Sequence, residues 1–175
     1  MPPPEMTALT ASRAPRATDS AGSAAKSVPP AATSQRLTTL TARFEDLDLP
    51  PASFDLISSC MSLHHVQDKA ALYHSFVRWL APGGHLAFAD QLLGATPHIH
   101  ATHWDLWLTF CRQPAHCSPE ELQSLIDHVT AHDHYTPLPE HFAMLAAAGF
   151  THPDCAWRNG MYTVMTAEAA PRIPS

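Results

Sequence analysis

Two short apolar segments enclose one amphipathic helix between residues 54 and 90, and this pattern constrains the fold more than any other feature. Residues 54–59 and 85–89 are apolar runs of the length and composition of buried strands. Asp68 is a suitable N-cap for the intervening helix, and Pro82-Gly83-Gly84 is a helix-stop signal. Strand, helix and strand in this order predict a βαβ unit with parallel strands and a right-handed crossover. The expected fold class is therefore α/β.

Further elements are predicted on both sides of this unit. Residues 37–44 are β-branched and apolar enough for a strand, and an acidic turn follows at residues 45–48. Helices are predicted near residues 99–111, 119–132 and 139–148, the second with a Ser118/Glu121 capping box. Two apolar runs flanking Asn159-Gly160 predict a β-hairpin near the end of the chain.

Composition divides the chain into one domain and two tails. Residues 1–36 are rich in Pro, Ala, Ser and Thr without periodicity, which predicts a disordered tail. Residues 37–168 are expected to form the single domain, and residues 169–175 a C-terminal tail. With 175 residues, of which 45% are hydrophobic, the chain is long enough for one buried core.

Charge and cysteine usage limit the classes of partner. The net charge of −6 lacks the basic character of nucleic-acid binders, and no apolar run approaches the ~20 residues of a membrane span. The four cysteines form no Cys-x-x-Cys pair, so neither a disulfide framework nor a zinc ribbon is indicated. We expect a cytoplasmic protein that interacts with neither nucleic acid nor membrane.

Five motifs in order resemble one family, the class I S-adenosylmethionine-dependent methyltransferases of the small-molecule branch. The motifs are Glu45-Asp46-Leu47-Asp48-Leu49-Pro50, Ser53-Phe54-Asp55-Leu56-Ile57-Ser58-Ser59, Leu63-His64-His65-Val66, Leu80-Ala81-Pro82-Gly83-Gly84 and Ala147-Ala148-Gly149-Phe150. The resemblance extends from about residue 38 to residue 166. It implies an incomplete Rossmann-like methyltransferase sheet that lacks its first two strands and ends in an antiparallel hairpin.

The resemblance also implies a cofactor, S-adenosylmethionine, and residues around it. Phe44, Glu45 and Asp46 would lie near the adenine, and Ser59, Cys60 and Met61 would pass the methionine part. His64 and His65 would face a small-molecule acceptor, where an imidazole can remove a proton. The alternative for both histidines is packing or helix capping. The identity of the acceptor and of its reacting atom stays open, and no residue is assigned as a metal ligand.

The sequence departs from the family at the glycine-rich loop, because it contains no Gly-x-Gly. Without that loop we expect cofactor binding by the chain alone to be impaired. Residues 54–59 should then become an exposed apolar sheet edge, through which the chain could form homo- or hetero-oligomers. Three explanations are open: a fragment or frame-shifted reading of a longer enzyme, which the abrupt change in composition favours, a half domain completed by a partner, or a degenerate relative. The alternative function is therefore a non-catalytic interaction subunit.

Histidines and aromatic residues suggest two further hypotheses. Histidines at 98, 100 and 103, His116 beside Cys117, and His128 with His132 near Asp133 and His134 have spacings that can ligate zinc. Chance clustering among 13 histidines is the stronger explanation. A helical stripe of Trp104, Trp107, Leu108 and Cys111 is typical of core, with the wall of an acceptor pocket as the alternative.

Overall fold

The computed structural model describes the backbone of residues 9–12 and the whole of residues 40–171. Five strands and four helices follow in chain order: β1 (Leu9–Ser12), β2 (Phe54–Cys60), α1 (Lys69–Trp79), β3 (Leu80–Gln91), α2 (Pro97–Arg112), α3 (Pro119–His132), α4 (Leu138–Ala148), β4 (Phe150–Asn159) and β5 (Tyr162–Ala169). Two 3-10 turns occupy Phe44–Asp46 and Leu63–His65. Within these residues no helix is both long and apolar enough to cross a membrane.

The described strands form one mixed sheet in the order β1-β2-β3-β5-β4. β2 and β3 are parallel and are joined through α1, which confirms the predicted βαβ unit. β5 pairs antiparallel with both β3 and β4, and the predicted hairpin turns at Gly160, whose φ is +58°. The α/β class and the terminal antiparallel hairpin are therefore confirmed.

Local capping explains where the helices begin. Asp68 accepts a hydrogen bond from the Ala71 N–H at 2.9 Å, and Ser118 and Glu121 form the predicted capping box before α3. α1 ends at Trp79, three residues before the predicted stop signal, and β3 begins at once. Pro82-Gly83-Gly84 instead lies in an irregularity of β3, where Gly83 has a φ of +73°.

The main core lies between one face of the sheet and the helices α1 and α4. Large side chains of α1 and α4 are fully buried against alternate residues of β2, β3 and β5. The members that fix this packing are Tyr73, Phe76, Trp79 and Leu145 from the helices and Ile57, Leu86, Phe88 and Met165 from the sheet. A smaller cluster joins α2 and α3 to Met161 beside the hairpin turn.

The strand predicted over residues 37–44 is wrong in the part that the structure describes. Residues 40–43 have no regular structure, and Phe44 starts a 3-10 turn. A strand needs a neighbour for its ladder of hydrogen bonds. The described sheet places no strand beside this segment. Phe44 is anchored instead by burial of its ring in the main core.

The expectation of an exposed β2 edge is also wrong. β1 pairs antiparallel with β2, from Leu9 opposite Ser59 to Ser12 opposite Leu56. Four residues of the segment predicted to be disordered therefore form a strand and cover the edge. The remainder of that predicted tail, and residues 172–175 of the C-terminal one, lie outside the described residues.

Candidate functional site

The connection after β2 brings polar groups to the carboxyl end of the parallel strand pair. Met61 adopts a left-handed backbone conformation, with a φ of +51°, and its N–H donates to the Ala89 carbonyl at 2.8 Å. Such strained conformations cluster at functional sites. The chain then enters the 3-10 turn Leu63–His65. In an open α/β sheet this end of the strands is where ligands bind.

Asp90, at the end of β3, fixes this turn from the neighbouring strand. Its Oδ2 accepts hydrogen bonds from the N–H groups of Ser62, Leu63 and His64 at 3.2, 2.7 and 3.3 Å. Its Oδ1 lies 2.5 Å from His64 Nδ1. Burial alone would raise the pKa of Asp90, but the hydrogen bond and charge of His64, with backbone N–H donors, hold that pKa below its ordinary value. Asp90 is therefore an ionised acceptor.

The contact with Asp90 determines which nitrogen of His64 can take part in chemistry. A carboxylate only accepts, so His64 Nδ1 carries the proton and donates it. In a neutral imidazole the lone pair is then on Nε2. His64 is buried and oriented, as both the catalytic and the packing hypotheses require.

His65 faces a different carboxylate, that of Asp133 just after α3. His65 Nδ1 and Asp133 Oδ1 lie 3.1 Å apart, and the Asp133 side chain is only 3% exposed. Neither atom forms a hydrogen bond within the described part of the chain. Burial and the neighbouring His64 lower the pKa of His65 in spite of Asp133 and Asp90. His65 is therefore neutral at pH 7.

The segment after α3 is held by several hydrogen bonds against the 3-10 turn Leu63–His65, which we call the histidine turn. The His134 N–H donates to the His64 carbonyl at 2.7 Å. Buried Lys69 donates through Nζ to the carbonyls of Val66, at 2.7 Å, and His134. Burial lowers the pKa of Lys69 to about 8. The Tyr135 hydroxyl donates to Gln91 Oε1, and its ring lies 5.9 Å from that of His64.

An open cavity of about 460 Å³ adjoins this site between α2 and α3. Trp104, Tyr135 and Val129 form apolar parts of its wall, with His100 and Asp105 as polar members. Tyr135 belongs both to this wall and to the surroundings of His64. Trp107 and Cys111 of the predicted stripe are core, whereas Trp104 also contributes to the cavity.

The six predicted cofactor residues have different environments. Phe44 is a core residue, while Glu45 and Asp46 are exposed. Ser59 is buried, with its hydroxyl 2.6 Å from that of Ser62. Cys60 is exposed and Met61 is half-buried at the carboxyl end of β2. Residues 59–61, at the end of β2, directly precede the turn Leu63–His65 and therefore lie near the histidines. Residues 44–46 precede β2 in the chain and belong to a separate turn.

Sequence reasoning missed the partners of the two histidines. The sequence pattern marks Asp90 only by its position directly after the predicted strand 85–89, and it gives no signal for Lys69 or Tyr135. The signal that could have found Asp90 was its position, since the ends of adjacent parallel strands meet at one edge of the sheet. The histidine groups proposed from spacing do not converge among the described residues. His103 Nδ1 lies 3.3 Å from the Arg158 guanidinium, and His128 and His132 form a ring pair.

Comparison with known proteins finds similarity to methyltransferases over part of the chain. The model for the methyltransferase domain matches residues 7–88, just under half of the chain. Phosphoethanolamine N-methyltransferase 1 of Arabidopsis thaliana is 46% identical over 41 residues, which are 23% of this chain and 8% of that enzyme. The 27-O-demethylrifamycin SV methyltransferase of Amycolatopsis mediterranei is 42% identical over 52 residues, 30% of this chain and 19% of that enzyme. The matches thus span less than a fifth of these relatives.

Solved structures show the same fold. A protein from Bordetella parapertussis superposes with a TM-score of 0.55 at 21% identity, over 79% of this chain and 46% of that one. A SAM-dependent methyltransferase from Thermotoga maritima gives a TM-score of 0.51 at 14% identity, over 78% of this chain and 66% of that one. Motifs, family model and fold agree: residues 7–88 match the methyltransferase-domain model, and the chain is similar to the class I S-adenosylmethionine-dependent methyltransferases in part of their fold.

Proposed function

We propose that this chain carries the acceptor side of an enzyme that transfers a methyl group from S-adenosylmethionine to a small molecule. The observation that carries the proposal is the buried His64–Asp90 pair at the carboxyl end of two adjacent parallel strands. The relatives named above are an N-methyltransferase and a methyltransferase of a demethylrifamycin oxygen. An acceptor that presents an amine or a hydroxyl group is therefore the substrate class to test.

The reaction sets the tasks of the protein. S-adenosylmethionine supplies a methyl carbon made electrophilic by a positively charged sulfur. The acceptor lone pair forms a bond to that carbon while the sulfur–carbon bond breaks, and the sulfur leaves with the electron pair. The protein must align the two partners, which accounts for much of the rate enhancement of such reactions. It must also receive a proton when the acceptor is a hydroxyl or ammonium group.

His64 is the best-placed proton acceptor in the proposal. Asp90 engages Nδ1 and leaves the Nε2 lone pair as the base, in the manner of a carboxylate–histidine pair. When Nε2 takes a proton, the charge on the ring is balanced by the adjacent ionised carboxylate. His65, which is neutral at pH 7, is the second base candidate. The cavity beside Tyr135 provides space for the acceptor.

The cofactor residues fit this proposal unevenly. Cys60 and Met61 lie at the end of β2 and are at least partly exposed, so they can contact a bound methionine part. The carboxylates of Glu45 and Asp46 are exposed and can accept hydrogen bonds from an adenosine part. Phe44 and Ser59 support these segments from the interior, through core packing and the Ser62 contact respectively.

Calorimetric titration of the full chain with S-adenosylhomocysteine tests the proposal first. Binding should be saturable, and methyl transfer to phosphoethanolamine or to a phenolic hydroxyl is then assayed. His64→Gln should lower kcat by ~10²–10⁴-fold while the Kd for S-adenosylhomocysteine is unchanged. His74→Gln, an exposed histidine on α1, is the matched control and should retain activity.

Two outcomes would contradict the proposal. Unchanged kcat in His64→Gln would remove the proposed role of this imidazole. A chain that melts cooperatively but does not bind S-adenosylhomocysteine would contradict autonomous methyl transfer and would instead support a degenerate or partner-dependent module.

A further inference from the structure

His64, His65 and Asp133 bring three metal-ligating groups together, and of these only Asp133 belongs to a spacing that the sequence analysis considered for zinc. One ring nitrogen of each histidine and one oxygen of Asp133 lie within 4.8 Å of one another. The two imidazole centroids are 4.0 Å apart, with the rings tilted by 55°. Two imidazoles and one carboxylate form a donor set that binds Zn²⁺ in proteins.

Two of these groups present buried polar atoms that face each other without forming a hydrogen bond, because His65 Nδ1 and Asp133 Oδ1 lie 3.1 Å apart but outside hydrogen-bond geometry. His65 Nδ1 and Asp133 Oδ1 are inaccessible to solvent and form no hydrogen bond with the described residues. The carboxylate of Asp133 belongs to a side chain that is only 3% exposed. Most buried polar atoms in proteins are paired, and an unpaired one is destabilising. A ligand held by both atoms would remove this destabilisation.

The surroundings hold the three groups in an arrangement typical of metal sites. Asp90 occupies His64 Nδ1 and leaves Nε2 for a ligand, which is the orientation that a carboxylate–histidine–metal contact requires. Lys69 fixes the segment that carries Asp133 through the neighbouring His134 carbonyl. The carboxylates of Asp90 and Asp133 outnumber the single ammonium group of Lys69, so the local charge favours a cation when both imidazoles are neutral.

We propose that His64, His65 and Asp133 bind a divalent transition-metal ion of the Zn²⁺ type. Three protein ligands leave a fourth position for water or a substrate atom. Ligand atoms around tetrahedral zinc lie about 3.3 Å apart at bond lengths of ~2.0–2.1 Å, so small side-chain rotations suffice. A metal ion on His64 Nε2 would occupy the lone pair that the proposed base uses, so a metal-bound chain could not use His64 to accept a proton. The inference is therefore tested by binding alone, without an activity assay.

The test uses the full chain with Co²⁺ and Zn²⁺ as probes. Zn²⁺ calorimetry should give one ion per chain, and Co²⁺ should give a visible spectrum without a thiolate charge-transfer band. Asp133→Asn and His65→Gln should each weaken Zn²⁺ binding at least tenfold. Asp90→Asn, which removes the carboxylate that orients His64 and holds the turn carrying both histidines, should weaken it by ~10–100-fold or more. Zn²⁺ should also raise the Tm of the parent more than that of Asp133→Asn.

Controls separate this site from adventitious ones. His74→Gln, and the double variant His128→Gln/His132→Gln on α3, should bind Zn²⁺ as the parent does. Binding that survives both Asp133→Asn and His65→Gln would overturn the proposal, as would loss of binding in the α3 double variant alone. A thiolate band would assign the ion to cysteines instead. Because His65 is partly exposed, a folded His65→Gln keeps the test decisive even where Asp133→Asn does not fold.

Discussion

At the scale of single residues, the site depends on the number of hydrogen bonds that the Asp90 carboxylate can accept. Asp90 receives three backbone N–H groups and the His64 imidazole, and a fifth donor, the Gln91 N–H, at 2.8 Å. An ionised carboxylate has about four lone-pair positions and no proton to donate. No uncharged side chain of similar size has this acceptor capacity. The position of the 3-10 turn is therefore coupled to the charge on Asp90.

Asp90→Asn should destabilise the protein and displace the histidine turn. The amide group retains one acceptor oxygen but places an N–H₂ against donors, so at least one buried donor loses its partner. We expect the free energy of unfolding in urea to fall by ~1–3 kcal/mol. Asp154→Asn, which alters an exposed carboxylate on β4, should leave it within ~0.5 kcal/mol of the parent. Equal stability of Asp90→Asn and the parent would show that the turn does not depend on this charge.

His141 should make the protein sensitive to mild acid. Its ring is 1% exposed, its Nδ1 lies 2.7 Å from the Tyr73 hydroxyl, and its Nε2 has no partner among the described groups. Burial, and to a lesser degree the charge of Lys69, lowers its pKa to about 4. Between the ordinary value of 6.5 and about 4, the unfolded chain binds the proton and the folded chain does not. Stability must therefore fall as the pH falls through this interval, and the fall ends below pH 4.

Urea unfolding at several pH values measures this effect. The contribution of His141 should approach ~3 kcal/mol near pH 4, and His141→Gln should lack most of it because the amide does not titrate. His74→Gln provides the control, with the pH profile of the parent. A His141→Gln profile that parallels the parent would assign the acid sensitivity to other groups.

At the scale of elements, local signals located helices better than strands. Asp68 and Ser118 mark helix starts through hydrogen bonds made within three residues, so the sequence contains both partners. Strands depend on neighbours that are distant in sequence. Residues 40–44 have strand-like composition but no strand beside them, and Leu9–Ser12 has a tail-like composition but a strand, β2, beside it. Composition alone could not distinguish these two cases.

Gly94 should be required for the approach of the β3 end to α2. A Cβ at this position would overlap the His100 backbone nitrogen and would lie 2.6 Å from the His100 Cα. Backbone atoms of a helix cannot move aside without shifting the helix. We therefore expect Gly94→Ala to displace the first turn of α2 and to lower stability by ~1–3 kcal/mol or more.

Gly160→Ala separates this steric effect from backbone strain. Gly160 has a φ of +58°, and a methyl group on its Cα would have no neighbouring atom closer than 3.8 Å. Only the left-handed conformation therefore opposes alanine there, at a cost of ~1 kcal/mol. Thermal unfolding of the two variants should rank Gly94→Ala as the less stable. A lower stability of Gly160→Ala than of Gly94→Ala would mean that the N-terminus of α2 can shift at little cost in free energy.

At the scale of the whole molecule, the candidate site is assembled from segments far apart in sequence. The motif with His64 and His65 was recognisable because it is continuous. Asp90 lies 26 residues beyond His64 and Lys69 lies 65 residues before His134, and only the sheet topology brings them into contact. The single sequence therefore predicts the histidines, but it does not predict the carboxylates that orient them.

The β1–β2 pairing should protect the molecule from self-association. β2 carries apolar residues, and without β1 its unpaired backbone groups would offer an edge to another chain. In an antiparallel pair, successive residues of β1 direct their N–H groups alternately toward β2 and away from it. Thr10→Pro and Ala11→Pro therefore form a matched pair, because one removes a ladder hydrogen bond and the other removes an N–H that faces outward.

Light scattering over a range of protein concentrations measures the consequence. One proline variant should associate as the concentration rises and should melt at a lower Tm, while the other should behave more nearly like the parent. The asymmetry is the informative result, since a general effect of proline on a terminal segment would change both variants equally. If both variants were as monodisperse and stable as the parent, β1 would not be what protects the edge of β2 in solution.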